Sequence, residues 1–225
     1  FYTLMKENDL PVIKKQLINT EEINIEGVYV LKPRFGGSSI GVEIVNDGIT
    51  ARKLVKNSDL YSQGAVIEKY LENSTDLLVG VRNFPDFDIS EIEKPLKNET
   101  LFSYNDKYLE NGGLEGSKRE LPAKLSEQIE KKLIDMVQKI NHIIPTRGIY
   151  RYDFLLHENK LYVNEINTIP GSHALYLWKN LDNSKFELLD SMIDEALSKQ
   201  FNNWSLTGSD GIALKSAKDI ASKLG

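Results

Sequence analysis

Hydrophobic and polar positions along the chain divide it into short strands and a few amphipathic helices. Val28–Pro33 reads as a strand that enters a glycine- and serine-rich turn and leaves through a second strand-like segment, Ile40–Val45. Asn46-Asp47-Gly48 then offers a cap for a helix reaching about Ser58. Ala65–Leu71 and Leu77–Val81 are further strands, followed by proline-bounded extended pieces near Ile89–Leu96. The clearest helix is Pro122–Ile144, where Leu125, Ile129, Leu133, Met136 and Ile140 recur at steps of four and three and hold one stripe. Its Glu127, Glu130, Lys131 and Lys132 face water. Two strands follow, Ile149–Leu156 and Lys160–Ile166, with His157–Asn159 turning between them. Amphipathic helices over roughly Phe186–Lys199 and Gly211–Leu224 end the pattern. A short helix over residues 1–9 opens it and stops before Leu10-Pro11, because proline disfavours helix in the residue ahead of it. Between Tyr104 and Glu120 runs a polar, glycine-bearing stretch without periodicity, a length more often functional than idle in a compact domain. Strands with helices interspersed, rather than a regular βαβ array, predict an α+β fold.

Composition narrows the classes of function. The 225 residues suffice for one large domain or two small lobes. With 28 basic and 33 acidic residues the formal charge is −5, which does not favour nonspecific nucleic-acid binding. The absence of cysteine excludes a disulfide framework, a thiolate metal site and a cysteine nucleophile. No apolar run approaches the roughly 18 residues of a membrane span, and the first ten residues carry no signal-peptide pattern, so the expectation is a cytoplasmic protein. There is neither an internal repeat nor a low-complexity tract.

Four clusters of residues carry possible chemistry. In Lys32-Pro33-Arg34-Phe35-Gly36-Gly37-Ser38-Ser39-Ile40-Gly41, glycines let backbone N–H groups approach an anion, and a lysine and two hydroxyls add donors for phosphate oxygens. The spacing is not that of a P-loop, and a turn like this also serves as a flexible hairpin loop. The second cluster lies on the strands around residues 157–160. Arg151, Asp153 and Leu155 share one face of the first strand; Val163, Glu165 and Asn167 share one face of the return strand. A three-residue turn centred on Asn159 sets Asp153 across from Glu165 and Arg151 across from Asn167. Opposed like charges are destabilising, so two carboxylates and a carboxamide converging there require a cation. Oxygen ligands without His or Cys point to Mg²⁺. The plainer alternative is a surface ion network in which Arg151 pairs with the carboxylates, and a one-residue slip of register would separate Asp153 from Glu165. The third cluster, Glu165 to Ser172, breaks at Pro170-Gly171, where a backbone N–H can stabilise an oxyanion. The fourth, Val66 to Leu71, is a core strand that turns polar, with an end suited to a purine edge.

Taken in order, the glycine loop, Ile67-Glu68-Lys69-Tyr70-Leu71, the Lys107-Tyr108 pair in the long loop, Arg151-x-Asp153 and Glu165-x-Asn167-x-x-Pro170-Gly171 resemble ATP-grasp ligases. Among these they are most similar to the D-alanine–D-alanine ligase family, from about residue 1 to about residue 200. The resemblance implies an ATP-grasp fold, two α/β lobes with the nucleotide between them. Residues 1–67 form the first lobe with the phosphate loop, 68–203 the second with the adenine, magnesium and substrate sites, and 204–225 a C-terminal tail helix. It further implies that Lys32, Gly37, Ser38 and Ser39 contact the ATP phosphates, that Glu68, Lys69, Tyr70 and Leu71 hold adenine, and that Asp76 takes the ribose. Lys107 would reach the phosphates, and Tyr108 would help close the site beneath a lid at 104–120. Asp153, Glu165 and Asn167 would bind two Mg²⁺, or Mn²⁺ in their place. Arg151 and the Gly171 amide, with Ser39 and Tyr108, would be the catalytic set. The implied reaction phosphorylates one amino acid's carboxylate to an acylphosphate, which the amine of a second attacks, giving a dipeptide for peptidoglycan. A homodimer is implied as well.

This sequence also departs from the family. No N-terminal domain precedes Phe1, so a missing upstream segment is an expected partner. Tyr2 stands where a lysine is usual, and Asp76 where glutamate is usual, one residue further on. After Pro170-Gly171 the chain reads Ser172-His173-Ala174-Leu175, shorter than usual and with alanine at the position of a substrate-binding serine. Two other readings therefore stand beside the first: a ligase for another amino acid or acceptor, and an ATP-binding module that no longer catalyses.

Overall fold

The computed structural model describes residues 1–18, 26–96, 118–179 and 184–198. Lys107, Tyr108, most of the expected lid and the expected tail helix lie outside the described residues.

Two antiparallel sheets face one another. The first has the order β1-β4-β2-β3, from β1 (Lys15–Ile18), β2 (Glu26–Pro33), β3 (Glu43–Asp47) and β4 (Ala65–Lys69). Alternation sorts its side chains by face. Ile18, Leu31, Val45, Ala65 and Ile67 are buried with Ala51, while Lys15, Lys32 and Glu68 point the other way, into the cleft. Ala51 belongs to α2 (Gly48–Asn57), which starts at Asp47 because that carboxylate accepts the Thr50 N–H at 2.7 Å. A preceding helix, α1 (Tyr2–Glu7), packs elsewhere.

The second sheet has the order β7-β6-β5-β8-β9: β5 (Thr75–Arg82), β6 (Asp88–Pro95), β7 (Arg119–Glu120), β8 (Ile149–His157) and β9 (Lys160–Asn167). Leu77, Val79, Val81, Tyr152, Phe154, Leu161 and Val163 cover one face of it and meet Ile129, Leu133, Met136, Val137 and Ile140 of α3 (Glu127–Ile143). A smaller cluster joins Ile149, Ala174, Leu177 and Trp178 to Leu188 of α4 (Ser184–Ser198). Among the described residues no helix is long and apolar enough to cross a membrane.

The two cores do not follow a single cut in sequence. Met5 and Leu10 belong to the core of the second sheet, and the Val163 N–H donates to Pro11 O at 2.8 Å. The chain thus starts on the second sheet, crosses to build the first, and returns after β4 has run on to Lys69.

Three of the differences from the sequence pattern have a plain physical reason. The long helix begins at Glu127 rather than Pro122, because Ser126 caps it while the Ala123 N–H is used by Ile92 O of β6. Leu125 still packs against the same core from outside the helix. The strand expected at Ile40 begins only at Glu43. Ile40 and Val42 donate instead to Gly37 O and Ser39 O, closing two successive turns. The four-residue β1 is too short for alternation to mark it in the sequence.

Candidate active site

The second-sheet face that looks away from α3 carries a row of side chains running across the strands. Glu93 pairs with Leu78, Leu78 with Asp153, and Asp153 with Glu165. One step along, Gly80 pairs with Arg151 and Arg151 with Asn167. The expected juxtapositions of Asp153 with Glu165 and of Arg151 with Asn167 are therefore present, but a different route produces them. The turn has two residues, Glu158 (φ 47°) and Asn159 (φ 61°), so His157 pairs with Lys160 and Phe154 with Val163. A bulge between Phe154 and Asp153 then inserts Asn164 into β9 and restores the register. The bulge also breaks strict alternation. Val163 is in the core, not on the face of Glu165 and Asn167 as alternation predicts.

Arg151 grips Asp153 with two charge-assisted bonds, Nε to Oδ1 and Nη2 to Oδ2, each 2.7 Å. Asn167 Nδ2 donates to Asp153 Oδ2 at 3.0 Å and to Glu165 Oε1 at 3.3 Å. Burial pushes the Asp153 carboxyl up to about 7; the Arg151 bonds pull against this and the Glu165 charge adds to it. Burial opposes the charge of Arg151, and the Asp153 carboxylate more than reverses that.

Across the cleft, Glu68 is 3% exposed. Lys32 Nζ bonds its Oε1, and Lys15 Nζ stands 3.1 Å from its Oε2. Burial disfavours the charged form, but the two ammonium groups outweigh it and hold the carboxyl below its ordinary range. Beside them runs the glycine turn. Ser38 and Ser39 are both left-handed, with φ of 55° and 60°. Gly41 (φ +72°) closes the turn where an added Cβ would stand 2.9 Å from Pro33 Cγ, and Tyr61 Oη pins it by donating to Gly41 O at 2.7 Å.

The charged groups and the 36–39 turn line one cleft of about 850 Å³ between the sheets. Lys32, Gly37, Ser38, Ser39, Glu68, Lys69, Tyr70, Leu71 and Asp76 line it, as do Arg151, Asp153, Glu165, Asn167 and Gly171. Two details differ from expectation. The Tyr70 N–H donates to Val28 O at 3.1 Å, so this backbone donor serves the strand rather than a ligand. Ala174, 0% exposed, is buried among Leu177, Trp178 and Leu188, so position 174 does not line the cleft. Tyr2, where the family's lysine is replaced, does not line the cleft.

The segment after Pro170 explains the second detail. Ser172, His173 and Ala174 are three consecutive left-handed residues, which turn Ala174 inward and leave Tyr176 to reach the cleft. Tyr176 Oη donates to Glu93 Oε2 at 2.8 Å, and Arg119 lies 4.8 Å over the tyrosine ring with Nη1 3.6 Å from Glu93 Oε1. Burial raises Glu93 despite the Tyr176 bond and the two nearby guanidiniums, and it raises Tyr176 as well. Sequence reasoning missed Lys15, Glu93, Arg119 and Tyr176. The step from apolar Ile92 to Glu93 could have marked Glu93 as facing away from the core. Nothing in the sequence joins it to a tyrosine 83 residues on.

Does this donor set suit a divalent cation? Two opposed carboxylates and a carboxamide offer only oxygen ligands, which is magnesium chemistry. An amide N–H₂ now bridges both carboxylates, and exchanging its Nδ2 for Oδ1 turns that donor into a ligand. Among the described residues no group of three His, Cys, Asp or Glu side chains converges, which leaves coordination positions that water or phosphate can fill. The residues fit on those terms.

Comparison with known proteins bears on the fold and the family. The fold is the ATP-grasp fold: D-alanyl-alanine synthetase A of Vibrio cholerae superposes with a TM-score of 0.74 at 19% identity, covering 88% of this chain and 64% of that one. N5-carboxyaminoimidazole synthetase of Staphylococcus aureus, solved with ADP, superposes at 0.63 with 21% identity over 89% of this chain and 51% of that one. Within that class, the model of the D-ala D-ala ligase C-terminus matches residues 1–194, and the chain belongs to this family. The D-alanine–D-alanine ligase of Thermosipho africanus is 31% identical over 205 residues, covering 86% of this chain and 55% of the relative. That of Campylobacter jejuni is 30% identical over 210 residues, covering 92% and 59%. The chain thus spans somewhat over half the length of these relatives.

Proposed function

We propose that the chain is the nucleotide-binding and catalytic part of an ATP-dependent carboxylate–amine ligase that joins two D-alanine molecules through an acylphosphate, for peptidoglycan synthesis. The observation that carries this reading is the arrangement of Asp153, Glu165, Asn167 and Arg151 on one wall of the cleft, facing Lys15, Lys32 and the glycine turn on the other. Lys32 and the 36–39 backbone neutralise the ATP phosphates while the β4 end and Asp76 hold the nucleoside. Asp153, Glu165 and Asn167 hold Mg²⁺, which when bound neutralises phosphate charge. Arg151, fixed in direction by its two bonds to Asp153, presents its remaining N–H groups to the reacting carboxyl, and the Gly171 amide meets the oxyanion as the amine adds. The protein's share of the barrier is alignment and charge neutralisation. That the relatives carry the name D-alanine–D-alanine ligase supports the choice of substrate.

Phosphate release from ATP by the intact protein tests this. Release only with D-alanine, accompanied by D-alanyl-D-alanine, is expected; ATP binding without turnover under any amino acid contradicts it. A ligase of the same chemistry for a different amino acid is favoured by one observation, the burial of Ala174 and the entry of Tyr176 into the cleft. Turnover triggered by another amino acid selects that reading.

A further inference from the structure

Beyond the nucleotide and metal side of the cleft stands a second polar group with no part in the chemistry above. Glu93 lies on β6, two strands from Asp153 and three from Glu165 in the same row. At the usual strand spacing that places it roughly 10 Å from the first and roughly 14 Å from the second. Tyr176 comes from the turn that starts at Gly171, and Arg119 from β7 at the sheet edge. All three line the cleft.

The positions suggest a division of labour. If phosphate is held at β8 and β9 and the reacting carboxyl at Arg151 and Gly171, the amine approaches from a side the leaving phosphate does not fill. Along this sheet that side is β6. There a buried carboxylate and a guanidinium stand 3.6 Å apart, too long for a hydrogen bond. The ammonium and carboxylate of an α-amino acid are similarly close together, so one zwitterion can meet both protein charges at once. The Tyr176 ring lies under the Arg119 guanidinium and, through its hydroxyl, fixes the direction of Glu93.

We propose that Glu93, Tyr176 and Arg119 form the pocket for the acceptor amino acid, Glu93 taking its ammonium group and Arg119 its carboxylate. The assignment rests on the ligase reading above and sharpens it, since it selects zwitterionic acceptors over 2-hydroxy acids.

The test separates carboxyl activation from acceptor use. The intact protein is given ATP, Mg²⁺ and D-alanine, with hydroxylamine in one arm to trap the acylphosphate as hydroxamate and without it in the other to form dipeptide. In Glu93→Gln the ratio of dipeptide to hydroxamate falls roughly a hundredfold, as expected when one partner of a buried charged contact is removed. A ratio that stays constant or rises overturns the proposal. Should that variant not fold, Tyr176→Phe is read in the same way, with a fall of about tenfold expected from loss of one hydrogen bond to a charged group. If wild-type protein yields no hydroxamate, the ligase reading fails by itself. Calorimetric titration with D-alanine then judges the pocket: weakening of about tenfold or more in Glu93→Gln supports it, and unchanged binding overturns it.

Discussion

Glu68 and Asp153 are both buried carboxylates facing one cleft, one from each sheet, and their surroundings compensate them differently. Glu68 has two ammonium groups within reach and is held below the ordinary carboxylate range. Asp153 has one guanidinium and an opposed Glu165, and burial pushes it up to about 7. Around these two carboxylates the charges differ: Glu68 stands alone against two cations, whereas Asp153 and Glu165 share one. A positive wall suits phosphate oxygens; a negative wall suits a divalent cation that bridges to the same phosphates. The imbalance left on each side is what ATP and Mg²⁺ together would cancel.

The largest effect expected from this contrast is at Glu165. Glu165→Gln removes one of the two opposed carboxylates while keeping its shape, so turnover measured by phosphate release falls below detection and the thermal midpoint stays near wild type. Retained turnover would mean that the charge on this wall is incidental. On the positive wall, Lys32→Met leaves Glu68 buried with Lys15 alone. Breaking a buried pair costs about 3–5 kcal/mol, and the remaining ammonium keeps the loss near about 3 kcal/mol by denaturant unfolding. Adding Glu68→Gln to that variant restores most of the loss, since the buried carboxylate is gone and the ammonium left over, Lys15, is partly exposed and keeps the Asn164 carbonyl.

The same contrast sets opposite pH dependences. Glu68 has a lowered pKa, so its contribution to stability is present above the ordinary carboxylate range and is lost as pH falls through and below it. Asp153 has a raised one, so in metal-free protein its contribution grows as pH falls from about 7 toward the ordinary range. Because a cation must displace that proton, Mg²⁺ affinity weakens by about tenfold per pH unit below about 7, and Asp153→Asn removes this slope. Calorimetry across pH 5.5–8 checks both. The smallest effect is at the glycine turn. Gly41→Ala forces a Cβ against Pro33 at a left-handed position and costs about 1–2 kcal/mol, with a parallel fall in nucleotide affinity.

How much of this was legible beforehand depends on how far apart the cooperating residues lie. The β8–β9 pair announced itself because alternation and a short turn fix a local register. Even so, two irregularities cancelled there, a shorter turn and a bulge at Asn164, and only the bulge accounts for the burial of Val163. The long helix was plain from its stripe, yet its start was not, because a backbone bond from Ala123 to β6, distant in sequence, holds the chain out of the helix until Ser126 caps it. The partners of Glu68 were not visible. Lys15 lies on a strand of four residues, and its distance from Glu68 is set by the pairing of β1 with β4. Glu93, Arg119 and Tyr176 come from three elements, and no local pattern links them. Ala174 marks the opposite error: a position expected at the substrate turned inward because three left-handed residues rotate the chain.

A crystal structure of the intact protein with Mn²⁺ and a non-hydrolysable ATP analogue measures the central assertion directly, since manganese is located by its anomalous scattering. The account predicts manganese bound by Asp153, Glu165 and Asn167 Oδ1, with the remaining ligands from the triphosphate, which also touches Lys32 and the 36–39 turn. Manganese held elsewhere, with Asn167 Nδ2 still bridging the two carboxylates, would contradict it.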